Sequence, residues 1–133
     1  MSVMLRRSAL LVFAILLLAA VAVGATLAVR PGTEPREIVL TARGMSFYLA
    51  GSDAPNPTIQ LRPGEYVRFV LRNEAAGLTH DLFIPHLNLA LEPLAAGAVR
   101  GAVVRVPAAL GTYPYICRPH AQMMQGTVVV AGH

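Results

Sequence analysis

The chain of 133 residues contains one cysteine, Cys117, and no lysine. A lone thiol cannot close an internal disulfide, so the fold must hold together without a covalent cross-link. All eleven cations are arginines, and they are scattered rather than bunched. No basic run interleaves with aromatics, which argues against a nucleic-acid surface. From Arg30 onward nine arginines face seven acidic residues, so this part is only mildly basic. Amphipathic helices are scarce too. Leu87 to Ala96 is the single candidate, and Pro93 weakens it because proline has no N–H for a helix interior. No Ser/His/Asp set and no paired carboxylates point to acid–base catalysis, and the chain has no internal repeat.

Apolar residues are abundant, at 55% of the chain, and the first thirty positions hold much of them. Arg6 and Arg7 precede an uncharged run from Ser8 to Val29. Positive charge followed by an apolar run describes a secretory signal peptide. The run of 22 residues also reaches the roughly 20 needed to span a bilayer. Small residues at Ala20, Ala22, Gly24, Ala25 and Ala28 allow cleavage. The length, beyond the ~7–15 apolar residues of a signal core, inclines the reading toward an uncleaved anchor. Segment 1–29 is thus expected to be a hydrophobic helix serving as signal peptide or transmembrane anchor, with its arginines on the cytoplasmic side. The rest of the chain is expected on the periplasmic or extracellular face. There an odd thiol needs a special role, and metal ligation is one.

Segment 30–35, with Pro31 and Pro35, reads as a linker. Beyond it come short runs rich in Val, Ile, Tyr and Phe, separated by turn residues. They are Glu37 to Ala42, Met45 to Leu49, Thr58 to Leu61, Tyr66 to Arg72, His80 to Ile84, Ala98 to Val106, Thr112 to Cys117 and Thr127 to Ala131. Such spacing predicts an all-β sandwich or barrel in one domain over 36–133.

The chemistry gathers in Cys117-Arg118-Pro119-His120-Ala121-Gln122-Met123-Met124-Gln125-Gly126, with His80 upstream. A thiolate, two imidazoles and a thioether are the donors of a blue-copper electron-transfer site, two His and one Cys with a weak, long axial Met. A strand ending in a tight turn can bring Cys117 and His120 to one metal, and Pro119 stiffens that turn through its fixed φ. Gly126 lets the chain re-enter a strand at once.

The segment Tyr113-Pro114-Tyr115-Ile116-Cys117-Arg118-Pro119-His120 resembles the Y-x-Y-x-C-x-P-H ligand strand of the plastocyanin-like cupredoxins. His120 to Thr127 is similar to the H-x-x-x-M-x-G-T segment of the azurin-like ones. Asn73 with Thr79-His80-Asp81 resembles the strand that delivers the first histidine, and Pro63-Gly64-Glu65 resembles the turn before it. The resemblance covers roughly residues 36–131 and implies a Greek-key β-sandwich holding one type 1 copper. It implies His80, Cys117 and His120 as ligands, with a methionine as axial ligand. Family members with a C-x-P-H loop commonly leave four residues, or two, between His and Met; here Met123 leaves two and Met124 three. The M-x-G pattern favours Met124, leaving Met123 to pack beside the site or face solvent. Asp81 reads either as a solvated loop acid or as the replacement for the asparagine that in azurin-like members hydrogen-bonds across to the cysteine loop. His86 is expected to be an exposed loop histidine, with an added copper contact or a docking role as the alternative; Met45 is expected to pack, and the terminal His133 to have no function.

The implied function is a carrier of single electrons between redox protein partners, not an enzyme, with membrane contact through the N-terminal helix if that is uncleaved. Pro119, Ala121 and Met123 could frame His120 with an apolar patch. A copper-delivery or copper-resistance protein handing on Cu(I) is the alternative, since Met45, Met123 and Met124 offer thioethers. An enzyme site with an open coordination position lacks an added carboxylate, and a binuclear copper site would need a second cysteine.

Overall fold

The computed structural model describes residues 34–132. The expected hydrophobic segment 1–29 and His133 lie outside the described residues. Among those described, no helix is long and apolar enough to cross a membrane.

Among the described residues nine strands form: β1 (Arg36–Arg43), β2 (Ser46–Leu49), β3 (Ile59–Leu61), β4 (Tyr66–Asn73), β5 (His80–Ile84), β6 (Leu89–Leu94), β7 (Val99–Arg105), β8 (Gly111–Ile116) and β9 (Gln125–Val130). They make a four-stranded sheet in the order β2-β1-β4-β7 and a five-stranded sheet in the order β3-β9-β8-β5-β6. The chain switches between sheets repeatedly, so β1 lies parallel to β4, and β3 parallel to β9. Alternation dictates what faces inward, because successive side chains of a strand point to opposite faces. Ile38, Leu40 and Ala42 of β1 and Val67, Phe69 and Leu71 of β4 meet Leu82, Ile84, Tyr115, Val128 and Val130 of the opposing sheet.

One element differs from its sequence reading. The stretch that reads as a weak helical candidate is strand β6, preceded by a 3-10 turn at Pro85–Leu87. Leu89 and Leu91 are buried while Ala90 and Glu92 are exposed, a period of two rather than 3.6. Pro93 is tolerated because β6 is an edge strand, where a missing N–H costs no ladder bond. Asn88, at φ +49°, turns the chain from the 3-10 turn into β6.

Two buried polar residues fix the geometry next to the ligands. Asn73 is fully buried; its Nδ2 donates to the Leu78 and Leu94 carbonyls, each at 2.8 Å, and its Oδ1 accepts from the Ala75 N–H at 2.9 Å. That ties the loop entering β5 to the end of β6. Tyr115 stacks edge-on against Phe47, with centroids 5.6 Å apart, and its hydroxyl donates to the Pro57 carbonyl at 2.7 Å. Gly126 lies directly across the ladder from Tyr115, where a Cβ would sit only 2.6 Å from ring atom Cε1. Only glycine permits this close approach.

Replacing Asn73 with Ala removes three bonds and strands buried partners, so urea denaturation should show a loss of about 3 kcal/mol; a loss below about 1 kcal/mol would contradict this role. Burial holds the Tyr115 hydroxyl protonated well above its ordinary pKa of 10.0. A raised acid pKa contributes stability that is complete below the unfolded pKa and is lost as pH climbs past it. Tyr115→Phe should therefore cost about 1 kcal/mol at neutral pH yet flatten the decline in stability above pH ~10, as read from unfolding curves across alkaline pH.

Candidate metal centre

Cys117 follows β8 directly, in extended backbone, and caps a 3-10 turn at Arg118–His120 with Pro119 in its first positions. The ligand loop is closed by its own backbone. The Cys117 N–H donates to the Met124 carbonyl at 2.9 Å, and the His120 N–H to the Cys117 carbonyl at 3.0 Å. The Met123 and Met124 N–H groups both reach the His120 carbonyl, at 3.0 and 2.9 Å. The loop is also tied from outside: Asn56 Nδ2 donates to the Met123 carbonyl at 2.9 Å, while Asn56 Oδ1 accepts from the Phe47 N–H at 3.0 Å.

His80 arrives on β5, whose register against β6 shifts between His80 and Leu82. Such bulges re-aim side chains beside functional sites. The result is a cluster of His80, Cys117 and His120 whose ligand atoms all lie within 4.8 Å of one another. Cys117 Sγ is 3.7 Å from His80 Nδ1 and 3.5 Å from His120 Nδ1. The two imidazole centroids are 4.9 Å apart. These separations suit one ion at the centre: bonds of about 2.0 Å to nitrogen and about 2.3 Å to sulfur, opened by 110–120°, place N and S about 3.5–3.7 Å apart.

Electrostatics prepare the donors unequally. Burial, and then the charge of His120, push the His80 pKa down, so its ring is a neutral donor; the Gly44 backbone and Asp81 oppose this in part. His80 Nε2 is buried without a well-formed hydrogen bond. Burial raises the Cys117 thiol, and the Asp81 charge raises it further, while the Asp81 and His120 N–H groups pull it back. A thiolate there needs a cation to sustain it.

The two candidate axial residues separate cleanly. Met124 is fully buried in the same core as Cys117, whereas Met123 is 55% exposed. Met45 packs partly buried against that core. Asp81 is 1% exposed; its N–H donates to Cys117 Sγ at 3.5 Å and its Oδ1 accepts from the Arg118 N–H at 2.7 Å. His120 is half-buried and, with Arg118, Pro119, Ala121, Gln122 and Met123, lines a shallow hollow of about 310 Å³.

His86 departs from the reading as an exposed loop histidine. Its ring stacks on Tyr113, with centroids 3.3 Å apart and planes 6° off parallel, and its Nε2 is buried. Tyr113 lies four residues up β8 from Cys117, so the structure does not bring His86 to the ligand cluster. Two contributors escape sequence reasoning. Asn56, between Pro55 and Pro57, reads only as loop, and Arg118 occupies a position the motif leaves free.

No family model and no curated protein matches the chain. Solved structures do. Reduced auracyanin from the photosynthetic bacterium Roseiflexus castenholzii is similar over 76% of this chain and 100% of its own, with TM-score 0.60 and 16% identity. Auracyanin B is similar over 74% of this chain and 91% of its own, with TM-score 0.59 and 22% identity. A copper-containing nitrite reductase from Thermus scotoductus SA-01 is similar over 73% of this chain but 28% of its own, with TM-score 0.57 and 22% identity. Its two sheets, their strand order and these neighbours identify the chain as a protein of the cupredoxin fold, with His80, Cys117 and His120 gathered together and Met124 buried in the same core.

Proposed function

We propose that this chain is a type 1 copper protein that carries single electrons, with His80, Cys117 and His120 as equatorial ligands and Met124 as the axial one. The observation that carries the reading is the cluster itself: two imidazole nitrogens and one cysteine sulfur at single-ion spacing, with Cys117 and His120 in a loop closed by its own backbone hydrogen bonds. Soft sulfur with imidazole selects copper. Copper bound there supplies the one-electron change.

The residues supply the rest. Burial of Cys117, His80 and Met124 excludes water from the ligands. The closed loop holds donor positions fixed, so little rearrangement accompanies a change of oxidation state. Half-buried His120 offers a ring edge toward solvent, framed by Pro119, Ala121 and Met123, where a redox donor or acceptor protein would dock. Both oxygens of Asp81 accept hydrogen bonds from Arg118, which holds the carboxylate against the ligand loop. With segment 1–29 as signal or anchor, the carrier works on the periplasmic or outer side of the membrane. Exposed Met123 beside His120 favours a second reading, in which a thioether helps pass Cu(I) to an acceptor.

Visible absorption of the full chain with Cu(II) separates the two. A carrier turns intensely blue through thiolate-to-copper charge transfer, loses the band in Cys117→Ser, and cycles reversibly. Met124→Leu should move the reduction potential, because the axial ligand tunes it, whereas Met123→Leu should leave band and potential unchanged. A colourless protein that retains only Cu(I) would instead establish copper delivery.

A further inference from the structure

Among the described residues, Asp81 is the one carboxylate that is fully buried, and it lies against the ligands. It follows His80 directly, as Arg118 follows Cys117, so the pair joins the two segments that deliver the sulfur and the first imidazole. Asp81 Oδ1 accepts from the Arg118 N–H at 2.7 Å and Oδ2 from Arg118 Nε at 2.6 Å. The guanidinium continues to Glu92 at 3.4 Å and lies over the Phe83 ring at 5.4 Å. The backbone bond to residue 118 needs only an oxygen, which a neutral amide would supply. The negative charge is therefore not required for positioning, and burying it is costly unless a cation pairs with it. Arg118 provides that cation while its own side chain stays 41% exposed.

We infer that Asp81 and Arg118 form a charge-compensated clamp that sets the reduction potential of the copper site as well as its geometry, an inference that rests on the type 1 copper reading. A negative charge beside the ligands favours Cu(II); a positive one favours Cu(I). Held 2.6 Å apart, the two nearly cancel at the metal. Removing Arg118 leaves the buried Asp81 charge acting over a few ångströms in a medium that screens it poorly, enough to shift a one-electron equilibrium by about tenfold. Removing Asp81 leaves a half-exposed guanidinium still paired with Glu92, which acts more weakly. Both are positioning residues, because neither donates to the metal.

The test is redox titration of the copper-loaded full chain, followed on its blue band, for the parent, R118Q, D81N and the double variant D81N/R118Q. R118Q unmasks the Asp81 charge and should shift the Cu(II)/Cu(I) ratio about tenfold toward Cu(II), which is about 59 mV lower for one electron. D81N should shift it toward Cu(I) by a smaller factor, because solvent and Glu92 screen the Arg118 charge that remains. The double variant, which removes both charges, should return to within about threefold of the parent. R68Q, on the other sheet, controls for loss of any cation and should leave the potential unchanged. Blue single variants with potentials within about twofold of the parent would overturn the inference and leave the pair a purely structural tie. If D81N fails to fold, R118Q decides alone, since its side chain lies at the surface. A parent chain that shows no blue band would overturn the copper reading itself, and this inference with it.

Discussion

The site depends on one joint between two strands. Cys117, His120 and Met124 all lie within a single short loop, and backbone bonds from Cys117 to Met124 and back to His120 hold them in fixed relation. His80 cannot be reached that way; it comes from β5, which pairs with β8 only at Phe83 and Ile116. A ladder so short leaves the approach of His80 to Cys117 poorly determined. Asp81 supplies what the ladder omits. Its N–H turns toward the sulfur and its carboxylate grips the next residue of the ligand loop. This bridge acts together with the loop's own bonds, the Asn56 tie and the register shift in β5 to set the separations in the cluster.

The sandwich makes such a bridge possible by removing water from around it. Phe47, Phe69 and Tyr115 are completely buried, and Cys117 and Met124 belong to the same continuous core. In that setting each polar group must find a partner, since an unpaired one costs about 1–3 kcal/mol. Asn73 uses both ends of its amide, and Asp81 uses both oxygens. His80 Nε2 is buried without a well-formed hydrogen bond, with its Nδ1 turned to the sulfur. Burial lowers the His80 pKa and so favours the neutral ring, with Nδ1 aimed into the cluster.

Most of the strand pattern was legible because period-two alternation and turn residues are local signals. The runs read at Tyr66 to Arg72 and His80 to Ile84 match β4 and β5 to within a residue. β6 was not legible, because Pro93 and a cluster of leucines carry no local sign that the segment lies at a sheet edge; neighbouring strands decide that. The two sulfurs after His120 likewise needed three dimensions. A motif ranks Met124 over Met123 by pattern, but burial at 0% against 55% exposure is a property of how the loop turns. Asp81 could be placed by likeness to an asparagine, while its partner Arg118 could not, since a free position in a motif says nothing about which side chain folds back. His86 was misjudged for the same reason. Its stacking on Tyr113 joins residues 27 positions apart in the chain, counted from 86 to 113.

The graded burial of the cluster follows from where each donor lies in the chain. His80 and Cys117 sit on or against strands whose inner faces are packed, so they are sealed. His120 ends a single 3-10 turn that must leave the sheet to reverse direction, and Pro119 before it can make no ladder bond. A loop that turns away from the core cannot bury all its members, and the one at its apex reaches the surface. Met124 returns to the core because β9 starts at the next residue, where Gly126 lets the strand lie against Tyr115. The same turn that gathers the donors thus exposes one imidazole and conceals the others. Arg118, at the start of that turn, covers Asp81 from the solvent side, so the opening at His120 does not expose the buried carboxylate.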